Sequence, residues 1–307
     1  MNYIGDIDNI HNIENFLLSK KNHHSIILSG EKGIGKSLAA KNIIENILKK
    51  QGSNKIYNLK WVSPDSKSGK ITIDQIRELN GFLTQTEFDG KSRFVVVDAA
   101  DDLNVNSANI LLKPLEEPKH NCFFILINHK SSQVLPTIRS RCVNFRFQSP
   151  SKKQSEEILM PYVKYNEELA KKYLLMATYN IGNATVMAQI KFEEFYKCLL
   201  ASLKEKNLDF IKFNILLTKL DVNENWNLIF ILLKRICYIL LNTHAEVMSE
   251  EGNILNYFNH IDRHELGKLI DHIQDMEYKI ANLYLNKKDC IQSIYLKIHS
   301  LCQKTFI

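Results

Sequence analysis

The sequence predicts a three-layer α/β phosphate-loop domain followed by all-helical segments, and three observations predict it. Residues 30–37 read Gly-Glu-Lys-Gly-Ile-Gly-Lys-Ser and match G-x-x-x-x-G-K-[ST] at every fixed position. Up to Pro150, apolar runs of strand type alternate with helical periodicities, the pattern of a parallel sheet with right-handed crossovers. Beyond Pro150 the strand signals stop and only helical spacing continues. The expected divisions are 1–149, 150–191 and 192–307, consistent with 307 residues being too many for one ordinary domain.

Taken in order, residues 6–21 read as a helix with Ile10, Ile13, Phe16 and Leu17 on one face. His23 and His24 follow; adjacent residues share no helix face and no third ligand is near, so a metal role is not expected. Residues 25–29, Ser-Ile-Ile-Leu-Ser, form the strand before the glycine loop. Residues 38–51 form the helix after it, with Ala40, Ile43, Ile44, Ile47 and Leu48 at helical spacing and Gly52 as a stop. Strand, turn and helix N-terminus together make an anion site, where converging N–H groups and the helix dipole favour phosphate. Gly30, Gly33, Ile34, Gly35, Lys36 and Ser37 are the candidate nucleotide-binding residues. In such a loop the lysine reaches the β- and γ-phosphates and the serine hydroxyl binds Mg²⁺.

A second apolar piece holds Leu59, Trp61 and Val62. Residues 71–88 read as a helix with Ile73, Ile76, Leu79 and Phe82 spaced three apart. Residues 93–98, Arg-Phe-Val-Val-Val-Asp, form an apolar strand of the doubly buried kind that ends in a carboxylate. Downstream of a phosphate loop, that terminal Asp98 is the candidate Mg²⁺ partner through water. Residues 106–117 show a helical pattern with Pro114 inside it, so either a kink or a helix beginning close to Pro114 is expected. Residues 121–128 give a fourth buried strand ending in Asn128, and residues 143–147 a last one. Residues 152–163, 166–178 and 183–189 read as three helices, with Gly182 at a break. Residues 192–301 continue as helices, with Trp226, Ile229, Phe230, Leu233, Cys237 and Leu240 marking one buried face.

Composition narrows the class. Hydrophobic content is 45% and charged content 24%, ordinary for a globular protein. The net charge of +6 permits contact with nucleic acid without requiring it. The start of the chain is polar and mixed in charge, so no secretory signal is expected. The longest apolar stretch, 228–241, is interrupted by Lys234 and Arg235 and is too short to span a bilayer. Six scattered cysteines form no CxxC pair, which argues for free thiols, a cytoplasmic location and no cysteine-rich zinc site.

Several of these segments together resemble the AAA+ clamp-loader family of bacterial DNA polymerase III, and within it the delta prime branch. The resemblance rests on the loop at 33–37, Ile-Thr-Ile-Asp-Gln-Ile-Arg at 71–77 and Phe-Val-Val-Val-Asp-Ala-Ala-Asp at 94–101. It rests further on Asn-Ile-Leu-Leu-Lys-Pro-Leu-Glu-Glu-Pro at 109–118 and Leu-Pro-Thr-Ile-Arg-Ser-Arg-Cys at 135–142. Residues 281–287 are similar to a late family segment. The resemblance implies a RecA-like nucleotide domain, a helical lid at 150–191 and a helical collar at 192–307. It implies partners: gamma/tau and delta subunits, a sliding clamp and primed DNA, with no membrane. It implies ATP with Mg²⁺ as ligand and Asn128 at the family's sensor position. It makes Arg141 an arginine finger offered to a neighbouring subunit, a role worth about 10³ to 10⁵ in rate.

Departures from the family pattern refine that expectation. Active members carry Glu directly after the Asp of the second motif; here the residue is Ala99. Residues 182–186, Gly-Asn-Ala-Thr-Val, hold no lid arginine. Residues 50–80 contain no cysteine, so the zinc of many delta prime subunits is not expected. The expectation is a subunit that can hold nucleotide yet hydrolyses it poorly. Two alternatives stay open: a self-sufficient ATPase motor of gamma/tau type, and a DNA-binding module that works alone.

Overall fold

The computed structural model describes residues 6–19, 24–52, 58–65, 70–84, 92–118, 121–129, 134–204, 210–242, 244–252, 261–283 and 285–303. The chain divides into two compact units, Met1–Gln154 and Ser155–Ile307. His23, residues 20–21 of the expected first helix and residues 85–88 of the expected third lie outside the described residues.

The first unit is built on a five-stranded sheet of β1 (Ser25–Ser29), β2 (Leu59–Val62), β3 (Arg93–Val97), β4 (Cys122–Asn128) and β5 (Val143–Arg146). The strand order is β2-β3-β4-β1-β5, with every pairing parallel. Period-two side-chain alternation sends each strand's residues to opposite faces. On one face Ile26, Leu28, Phe94, Val96, Ile125 and Ile127 pack with α1 (Ile7–Leu18) and α2 (Lys36–Lys50). On the other, Ile27, Val95, Val97, Phe124 and Leu126 pack with α3 (Ile73–Thr84) and α4 (Val105–Glu116). Helices on both faces bury β1 and β3 completely, which is why residues 26–28 and 94–97 are continuous apolar runs. β5, at the sheet's edge, alternates half-buried and exposed residues.

Pro114 does not start a helix. The Asn104 side chain accepts the Ser107 N–H and starts α4 at Val105, so Pro114 falls in its last turn. The helix ends two residues later at Glu116, so the proline forfeits a single late hydrogen bond. A four-residue helix, α5 (Pro136–Arg139), then carries Pro136 at its first position, where no N–H is needed.

The second unit is helical: α6 (Lys152–Leu159), which begins just before it, then α7 (Glu167–Met176), α8 (Ile181–Gln189) and α9 (Phe192–Lys204). α10 (Phe210–Lys219), α11 (Val222–Leu241), α12 (Arg263–Leu283) and α13 (Lys287–Gln303) follow. Gly182 is not a break but the second residue of α8; the Asn180 side chain accepts the Asn183 N–H and caps the helix ahead of it. One apolar cluster runs from Leu159 to Leu301, including a stacked Phe213–Tyr295 pair. Within it Arg235, on α11, meets the fully buried Glu251. None of the helices searched among the described residues is long and apolar enough to cross a membrane.

Candidate functional site

Parallel α/β sheets present their ligand sites at the carboxyl ends of the strands. Here three adjacent strands deliver the predicted residues to that edge. β1 runs into the glycine loop, β3 into Asp98 and β4 ends on Asn128. The loop needs its glycines. Gly30, Gly33 and Gly35 all have positive φ, at 150°, 89° and 91°. A Cβ on Gly30 would lie 2.6 Å from the Phe147 carbonyl oxygen and 2.8 Å from Ile34 Cδ1. Ile34 itself is buried in the apolar cluster under the sheet and anchors the turn.

Lys36 opens α2 and is 2% exposed. Its Nζ donates to the carbonyls of Gly30, at 2.8 Å, and Glu31. Burial holds its ammonium down to about 8, against the pull of Asp101, Asp98 and Glu31 in the other direction. The next residue, Ser37, donates its hydroxyl to Asp98 Oδ2 at 3.0 Å. Phosphate-loop serine and strand-end aspartate are thus brought together at this edge. Asn128 is 3% exposed at the end of β4.

The sequence did not single out two residues that complete this edge. His129 Nε2 lies 3.9 Å from Asp98 Oδ1, and its backbone N–H donates to Asp101 Oδ1 at 3.1 Å. Burial, with Lys36 next in effect, lowers the His129 pKa below its usual value. The available signal was position alone: His129 follows directly on Asn128, and Asp101 lies three residues beyond Asp98. Glu31, within the loop, accepts the Ser149 hydroxyl at 2.8 Å.

Ala99 is the residue after Asp98. It is 5% exposed and adopts the left-handed conformation at φ 68°. Its methyl group can neither accept a proton nor orient a water. The donor set at this edge (a hydroxyl and a carboxylate in contact, a buried ammonium and a loop of backbone N–H groups) suits a Mg²⁺–nucleoside phosphate. The position directly after Asp98 carries no carboxylate; Asp101, three residues on, accepts the His129 N–H instead. No group of three or more metal-ligating side chains occurs among the described residues.

Arg141 lies apart from this edge on the chain, in the turn after α5, and is exposed. Its Nε donates to Glu116 Oε1 at 2.6 Å, and its Nη2 donates to the same oxygen. Its Nη1 donates to the Thr137 carbonyl at 2.8 Å and to Ser140 Oγ at 3.3 Å. Cys142, beside it, is a free thiol pushed up to about 12 by burial.

Residues 6–151 match the family model described as DNA polymerase III, delta subunit. A DNA polymerase III subunit delta' of Pseudomonas aeruginosa is 35% identical over 39% of this chain and 42% of its own length. One from Buchnera aphidicola subsp. Acyrthosiphon pisum is 27% identical over 77% of this chain and 76% of its own. The chain therefore spans less than half of the first relative and about three quarters of the second. Among solved structures, a DNA polymerase III gamma subunit-related protein from Thermotoga maritima superposes with a TM-score of 0.56 at 19% identity. That superposition covers 96% of this chain and 100% of the other, and supports the same fold.

Proposed function

We propose that this chain, which belongs to the DNA polymerase III delta prime family of AAA+ clamp-loader subunits, is the stator of its loader. In this reading it holds its place in a ring with gamma/tau-type and delta-type subunits in the cytoplasm. The ring opens a sliding clamp and places it on primed DNA at the expense of ATP. Residues 150–191 serve as lid and 192–307 as collar. The stator hydrolyses little nucleotide itself and needs no zinc.

The observation that carries the reading is a division of labour between two places. The sheet edge has what phosphate binding requires: Lys36, Ser37 against Asp98, and the glycine turn. Beside Asp98 it has Ala99, and so no carboxylate there to aim an attacking water. Arg141 meanwhile stands on an exposed turn, permanently charged and carrying a planar fork of donors. Were ATP bound, the loop N–H groups, Lys36 and Asn128 would hold its phosphates, and Ser37 and Asp98 its Mg²⁺. Magnesium in such a site would neutralise phosphate charge. The chain's own residues orient and hold, while Arg141 stabilises charge at the next subunit's γ-phosphate.

The test is the assembled loader containing Arg141→Ala. ATP turnover stimulated by clamp and primed DNA should fall, by up to about 10³-fold at the neighbouring site. Turnover and loading at wild-type levels would remove the finger. The Ser37–Asp98 contact favours one other reading, a self-sufficient ATPase. Steady turnover by the purified chain, abolished in Lys36→Ala, would establish it instead.

A further inference from the structure

Arg141 is a long side chain on an exposed turn, yet it is held at several points. Its Nε and Nη2 both meet Glu116 Oε1, and Nη1 meets the Thr137 carbonyl with a weaker contact to Ser140 Oγ. Glu116 is the last residue of α4, and Thr137 sits in α5. The two helices are joined below the surface by Leu115, Leu135 and Ile138 in one apolar cluster. The carboxylate thus stands on a packed support.

A guanidinium carries five N–H donors along two usable edges. Glu116 takes the Nε/Nη2 edge. On the outer Nη1/Nη2 edge, Nη1 already meets the Thr137 carbonyl and Ser140 Oγ, and Nη2 brings its second N–H. An arginine with free rotamers loses side-chain freedom when fixed. One already fixed by a carboxylate and a carbonyl loses little more on meeting an anion. We propose that Glu116 is a positioning residue that sets the guanidinium of Arg141 for its encounter with a phosphate on a neighbouring subunit. The inference rests on the finger reading above.

The test uses the assembled loader with Glu116→Gln, Glu116→Asp, Arg141→Ala and the Glu116→Gln/Arg141→Ala pair. Glu116→Gln should lower kcat for ATP between about tenfold and 10²-fold, with KM nearly unchanged. Glu116→Asp should recover part of the loss, and Glu116→Gln should add nothing once Arg141 is alanine. On the isolated chain, phenylglyoxal modification of Arg141, read by mass spectrometry, should be several-fold faster in Glu116→Gln. Unchanged kcat in Glu116→Gln, a rise in kcat, or a loss that persists in the Arg141→Ala background would each overturn the positioning role. If Arg141→Ala alone costs nothing, the finger reading fails and takes the positioning role with it. The modification rates then still report whether Glu116 holds the guanidinium.

Discussion

Replacing Arg235 with methionine strands a carboxylate in the core of the helical unit. Arg235 is 4% exposed and Glu251 0%. Arg235 Nε meets Glu251 Oε1 at 2.7 Å and Nη2 meets Oε2 at 2.8 Å, a bidentate pair. Tyr196 donates its hydroxyl to Oε1 at 2.7 Å, and the Met248 N–H donates to Oε2 at 2.8 Å. Burial and the adjacent Glu251 push the Tyr196 phenol well above its usual range, so it remains a donor. Removing the guanidinium leaves Glu251 two donors and no counter-charge, a loss of about 3–5 kcal/mol. The Glu246 carbonyl also loses its 3.0 Å donor, adding about 1 kcal/mol. A unit of about 150 residues shifts by roughly 2–4 °C per kcal/mol, so the melting temperature should fall by about 8–24 °C. Circular dichroism melts, with guanidinium titration as the isothermal check, read this directly. The Arg235→Met/Glu251→Leu pair should recover part of the loss, because both charges then leave together. A single substitution costing under about 1 kcal/mol, or a pair worse than the sum of its parts, would refute this account of the core.

Two further outcomes concern titrating groups. Lys36 is held at about 8 rather than 10.5, so between those values the unfolded chain binds more protons than the folded one. Its contribution to stability is therefore at its least favourable, and constant, below pH 8, and improves as pH rises towards 10.5. Urea melts at about pH 7.5, 9 and 10 should show wild type gaining on Lys36→Met across that window; parallel curves would contradict it. Burial pushes the thiols of Cys142 and Cys237 up to about 12 from 9.0. Iodoacetamide at about pH 8 should therefore label them some 10³-fold more slowly in the native protein than in denaturant, as mass spectrometry would follow.

What the sequence displays well is whatever local physics decides. Runs 25–29 and 93–98 are legible, the first to the residue and the second to within one, because their strands are buried on both faces. The glycine loop is equally visible, since three positive φ angles in a row of turn positions admit few other residues. Pro114 and Gly182 mislead for the same reason. Each is a helix breaker in isolation, but the Asn104 and Asn180 caps begin their helices upstream, and local propensity yields. Contacts between distant residues leave no such trace. Nothing near Arg141 indicates that a glutamate 25 positions earlier will grip it, and nothing near Asp98 names His129 as its neighbour. Arg235 interrupts an apolar run and gives no sign that Glu251 will neutralise it.

Gly30, Asp98 and Asn128 leave three neighbouring strands at one edge, so their spacing across the sheet is set by the inter-strand distance, about 4.8 Å. Such a ruler is indifferent to the connections between strands. Connections elsewhere on this unit can lengthen or shorten while Gly30, Asp98 and Asn128 keep their places along one edge.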